Sequence, residues 1–80
     1  MARQEHTAQE IQAEVSRLIH ERRAVRDAQA RVEVPLPVVL RPVDGTGLNW
    51  WMSGFGNALG YEDDIREAIT EVGKRWNLTS

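Results

Sequence analysis

The sequence predicts an α+β domain in the order helix, strand, strand, helix, and three observations carry that reading. Apolar residues recur at three- and four-residue intervals from Ala8 to Val25 and again from Ile65 to Trp76, the spacing of two helices with one buried face each. Between them Val32, Val34, Leu36, Val38 and Leu40 alternate with other residues, the period of a half-buried strand. An Asp-Gly pair and a run of glycines mark where the chain turns.

Thr7 with Glu10 three residues later has the form of a capping box, in which the hydroxyl takes a backbone N–H and the carboxylate reaches back. The first helix is expected to start there. With no proline or glycine before Pro35, it is expected to run to about Ala28 or Arg31. Residues 1–6 read as a flexible tail and residues 7–80 as a single small domain. Arg22 interrupts the apolar face, because a helical wheel puts it between Leu18 and Val25, with Gln29 at the same angle one heptad later. Two readings are open: it lays its stem on the core and its head in water, or it meets an acid from the Glu62 to Glu71 region across a subunit interface.

Pro35 and Pro37 remove donors from one edge of the alternating segment 32–40, so this strand is expected to pair on its other side and to lie at a sheet edge. An unpaired, polyproline-like segment is the alternative. Asp44-Gly45-Thr46-Gly47 reads as a turn, and Leu48-Asn49-Trp50-Trp51-Met52 as the returning strand of an antiparallel hairpin. Two strands alone are marginal, so both helices are expected on one face of the ribbon. Gly54, Gly56 and Gly60 mark a loop, after which Glu62-Asp63-Asp64 opens the second helix and Lys74-Arg75 closes it, both suited to the helix dipole. Its apolar face is Ile65, Ala68, Ile69, Val72 and Trp76, and Gly73 beside it admits close approach of another element.

A chain of 80 residues buries only about 60% of the surface its unfolded form exposes, and with no cysteine there is no disulfide to add support. Self-association is the remaining route, so a homodimer is expected, with the hairpin extended by its counterpart at the free edge or outer face of the second strand. The formal net charge of −2 hides a polarised distribution. Arg17, Arg22, Arg23, Arg26 and Arg31 stand against Glu21 and Asp27, whereas the stretch 44–71 holds six acids against Arg66. Such asymmetry either steers nucleic acid or pairs one half with the other. The arginines spread around the helix and form no stripe, which favours mutual pairing and leaves a nucleic-acid-binding regulator as an alternative. The polar opening Met1-Ala2-Arg3-Gln4-Glu5-His6 leads to no apolar run, so a cytoplasmic chain with no membrane segment is expected.

Familiar chemistry is hard to assemble from these residues. The loop 54–60 follows a strand and precedes a helix, as nucleotide-binding loops do, but too few residues follow Trp76 for a second parallel strand, and three acids at the helix start repel phosphate. His6 and His20 cannot meet at ligand spacing, and Glu62, Asp63 and Asp64 point in different directions. Ser16 and Ser53 lack a histidine oriented by an acid. No catalytic residue, metal or cofactor is expected, and the chain reads as non-enzymatic.

The aromatic residues are more informative. Trp50, Trp51, Phe55, Tyr61 and Trp76 all lie in the second half, the first four around the glycine-rich loop. Adjacent tryptophans on a strand point to opposite sides, so one fills the core with Trp76 and the other faces out; which is which stays open. Trp50, Trp51, Phe55, Tyr61 and Arg22 are the candidate interface or ligand contacts. They suggest a homodimeric accessory protein that binds a partner protein or a small ligand through an aromatic, glycine-rich surface.

Gly60-Tyr61-Glu62-Asp63-Asp64-Ile65 and Arg75-Trp76-Asn77-Leu78, with Leu48-Asn49-Trp50, resemble segments of short uncharacterised bacterial proteins encoded on plasmids, genomic islands and gene cassettes. The resemblance brings no active-site motif and transfers no residue's role. It implies a bacterial accessory gene, and with it a further alternative, an inhibitor of a host or phage system carried by a mobile element.

Overall fold

The capping box forms as its spacing requires. In a computed structural model that describes residues 4–40 and 47–79, the Thr7 hydroxyl accepts from the Glu10 N–H (3.2 Å) and the Glu10 carboxylate accepts from the Thr7 N–H (2.8 Å). That backbone hydrogen bond also holds the Glu10 carboxyl below its usual range. Helix α1 spans Ala8–Glu21 and buries Ile11, Val15 and Ile19.

The helix stops well short of the expected Ala28 or Arg31. At Arg22 the backbone becomes extended (φ −68°, ψ 141°), and a separate short helix α2 covers Arg23–Asp27. The reason is Arg22's place in the apolar stripe: an unbroken helix would drive a guanidinium into the core, whereas the break lets Val25 turn inward and keeps Arg22 among acids.

The alternating segment 32–40 is likewise cut down. Only Val38–Val39 (β2) pairs, in antiparallel register with Trp50–Trp51 (β3), Val38 opposite Trp51 and Val39 opposite Trp50. Upstream of the prolines a single bridge joins Glu33 to Gly56. Burial does not alternate either, since Val32 and Pro37 are buried while Leu36 and Val38 are exposed. Pro35 and Pro37 have no N–H to give, so ladder pairing survives only on either side of them. Just before Pro35, the Gln12 side chain donates to the Val34 carbonyl (2.8 Å). The expected turn at Asp44-Gly45-Thr46 lies outside the described residues.

Helix α3 spans Glu62–Arg75 and buries Ile65, Ala68, Ile69, Val72 and Gly73, the expected face without its last member. Trp76 leaves the helix (φ −130°, ψ 140°) and starts strand β4, Trp76–Leu78. The described part of the expected tail, Gln4–His6, is strand β1, parallel to β4 with Gln4 opposite Trp76 and His6 opposite Leu78. The His6 ring stacks on Trp76, centroids 3.7 Å apart, which explains why a polar opening segment is ordered.

The described residues form an α+β fold of three helices and short strands. α1 and α3 form the main packing, and Val25, Val32, Trp50, Met52 and Leu78 close the core around them. Gly73 permits the contact with the segment entering β3: a Cβ there would sit 3.1 Å from Leu48 Cδ1. Among the described residues no helix is long and apolar enough to cross a membrane.

Candidate apolar interaction site

Strand β3 is fixed against β4 by side chains. Asn49 brackets Leu78, its amide donating to the Leu78 carbonyl (2.9 Å) and its oxygen accepting from the Leu78 N–H (2.8 Å). The Trp50 indole donates to the Trp76 carbonyl (3.0 Å). These three bonds set which tryptophan goes inside. Trp50 is fully buried, and Trp51 must then point outward, where it is 43% exposed. Trp50 is therefore a core residue and is removed from the candidate surface contacts.

On the outer face Trp51 lies opposite Val38, which is 60% exposed. Trp51 also walls a hollow of about 240 Å³ together with Met52, Phe55, Ala58, Ile65 and Ile69, with Glu62 and Arg66 at its margin. The glycine-rich loop supplies one side of this hollow and α3 the other. The loop's shape draws on Gly56, where a Cβ would sit a tight 3.0 Å from Glu33 Cβ across the bridge, and on Gly54 and Gly60, both in the left-handed region. Of the sequence candidates, then, Trp51 and Phe55 meet at one site. Tyr61 is half-buried against the core at the N-terminus of α3 and does not line the hollow.

Arg22 lies elsewhere. Its guanidinium donates to Asp64 (2.6 Å) and to Glu67, both in its own chain, so the acids anticipated for it are found within the chain. The bond to Asp64 raises the Arg22 pKa further above its ordinary value. Depressions of about 720 and 500 Å³ flank this residue and exceed the hollow beside Trp51 in volume. They are lined largely by charges already paired, which makes them poor places for burial of an apolar group.

Of the other arginines of the first two helices, Arg17 is held by two acids, whereas Arg23 and Arg26 are exposed and share Asp27. Arg17 bonds Glu14 (2.8 Å) and Glu21 (2.9 Å), while Arg23 and Arg26 approach Asp27 at 3.6 and 4.0 Å. Glu14 additionally accepts from Arg75 (3.2 Å), tying α1 to the last turn of α3. The hydrogen bond from Arg17, assisted by Arg75 and opposed by partial burial, lowers the Glu14 carboxyl to about 2.

His20 is engaged at both nitrogens. With its proton on Nδ1 the ring donates to the Ser16 carbonyl (2.7 Å) and accepts at Nε2 from the Val32 N–H (3.1 Å). Ser16 Oγ lies 3.3 Å from the nitrogen already bonded to the carbonyl, so the pair acts as a clip for the chain after α2. Among the described residues no group of three or more His, Asp or Glu side chains is placed to hold a metal.

Two exposed apolar residues carry no mark of exposure in the sequence, Leu59 and Val38. Val38 falls among the alternating residues of a half-buried strand, and Leu59 stands alone between loop residues with no periodicity to mark it. Comparisons with protein-family models, with curated proteins and with solved structures give no match.

Proposed function

We propose that this chain is a small, non-enzymatic interaction protein that works as a homodimer through the apolar face around Trp51. The observation that carries the reading is the pairing of an exposed tryptophan with an exposed valine beside an apolar hollow, in a chain with only 80 residues from which to build a core. Large aromatic side chains next to concave apolar surface dominate association energies. Arg17, held at close range by Glu14 and Glu21, has less to offer a phosphate backbone, which favours this reading over nucleic-acid binding.

The test is light scattering across a concentration series on the wild type and on Trp51→Ala. A wild-type mass near twice that of one chain, returning to one chain in Trp51→Ala at unchanged helix content, is the expected outcome. A single-chain mass at every concentration contradicts the homodimer, and a gel shift of DNA or RNA with steep salt dependence would redirect the function to nucleic acid.

A further inference from the structure

We infer that the occupant of the hollow is Leu59 of a second copy, inserted reciprocally across a two-fold axis; this rests on the reading of the Trp51 face as the contact between copies. Leu59 is 91% exposed, the most exposed large apolar side chain among the described residues. It is not on a loose loop. Asn57 before it (φ 54°) donates to the Arg31 carbonyl (3.2 Å), the Tyr61 N–H bonds the Ala58 carbonyl (2.9 Å), and the Gly60 N–H (φ 90°) bonds the Glu62 carboxylate (3.0 Å). Three hydrogen bonds thus hold the turn that presents a leucine to solvent, which lowers the entropy lost when the leucine docks.

The receiving site is next to it. Ala58, its neighbour in the chain, lines the hollow, so the turn that carries the knob also forms a wall of the hole. A two-fold contact requires this arrangement, since each copy must present both parts to the other. The hollow's walls are Trp51, Met52, Phe55, Ile65 and Ile69, apolar groups suited to an aliphatic side chain, and its volume of about 240 Å³ admits one.

The margin is self-complementary in charge. Arg66 is 72% exposed on its side chain and approaches Asp63 at 3.9 Å, too far for a strong bond, while Asp63 and Glu62 add acids beside it. A two-fold rotation brings the acids of one copy toward Arg66 of the other. A face with both signs at its edge and apolar groups at its centre has the composition of a specific interface, and it matches itself.

Sedimentation equilibrium on the wild type, Leu59→Asp, Leu59→Met and Trp51→Asp tests the inference. Leu59→Asp is expected to weaken the dimer by on the order of a hundredfold, since a charge enters an apolar hollow twice per dimer, while Leu59→Met stays within about threefold. Circular dichroism should not change, because Leu59 buries nothing in its own chain. A dimer as tight in Leu59→Asp as in wild type, yet lost in Trp51→Asp, overturns the insertion and leaves the interface reading standing. A wild type that never dimerises overturns both. The chain has no cysteine, so Leu59→Cys adds a second readout: its maleimide labelling should slow at concentrations where the dimer forms, and a concentration-independent rate contradicts the insertion.

Discussion

Trp50 and Trp51 share a peptide bond and go to opposite environments, one at zero exposure and one 43% exposed. Trp50→Ala should therefore cost about 3–5 kcal/mol in urea unfolding, from the cavity and the lost bond to the Trp76 carbonyl. Trp51→Ala should cost less than about 1 kcal/mol when measured on dilute protein. Equal costs would mean that the division is wrong. That the pair divides was legible from the two-residue period of a strand; which one enters the core was not, because the choice depends on Asn49 bracketing Leu78, 29 positions away. Gly73 was legible as a site of close approach, and it gives a second expectation. Gly73→Ala gains about 1 kcal/mol of helix propensity but places a Cβ 3.1 Å from Leu48, so its net effect should fall within about 1 kcal/mol of zero, whereas Gly73→Leu should lose at least about 2 kcal/mol by thermal unfolding.

Elements defined by local chemistry were readable, and elements defined by distant partners were not. The start of α1 depends on Thr7 and Glu10 alone, and it falls where that spacing puts it. Thr7→Ala should cost about 1 kcal/mol of stability in chemical denaturation, and no loss at all would remove the capping box as the origin of the helix. The end of α1 was missed because no proline or glycine announces it. The polar residue in the apolar stripe is the signal, and it marks a break in the helix. Strand β1 could not be foreseen from Gln4-Glu5-His6, since its template is β4 at the other end of the chain. The chain after α2 is held by His20, whose ring accepts the Val32 N–H. His20→Ala should lose about 1–2 kcal/mol by leaving that donor without its partner, and amide exchange at Val32 should accelerate with it.

At the scale of the whole molecule, charge pairs join the helices and an apolar face remains for other contacts. Glu14 links α1 to α3 through Arg75 and titrates at about 2 against an ordinary value of 4.5, chiefly because of Arg17. A carboxyl with a lowered folded pKa adds stability above its unfolded value and loses it as pH falls through the folded one. The Glu14 contribution should thus be full above pH 4.5 and fade toward pH 2. Both guanidiniums are about half exposed, so screening reduces it to roughly 1–2 kcal/mol. Glu14→Gln should be less stable than wild type at neutral pH by that amount, and the difference should vanish toward pH 2. A difference independent of pH would assign the effect to packing.

With Trp51 at the contact between copies, a dilution series of ¹⁵N spectra reads the interface from three indole N–H signals, one for each tryptophan. The Trp51 signal should shift with concentration. The Trp50 signal, bonded to the Trp76 carbonyl inside the core, should stay where it is, and the Trp76 signal should move far less than that of Trp51. A Trp51 signal that holds its position across the concentrations at which the mass rises from one chain to two would contradict a contact at Trp51.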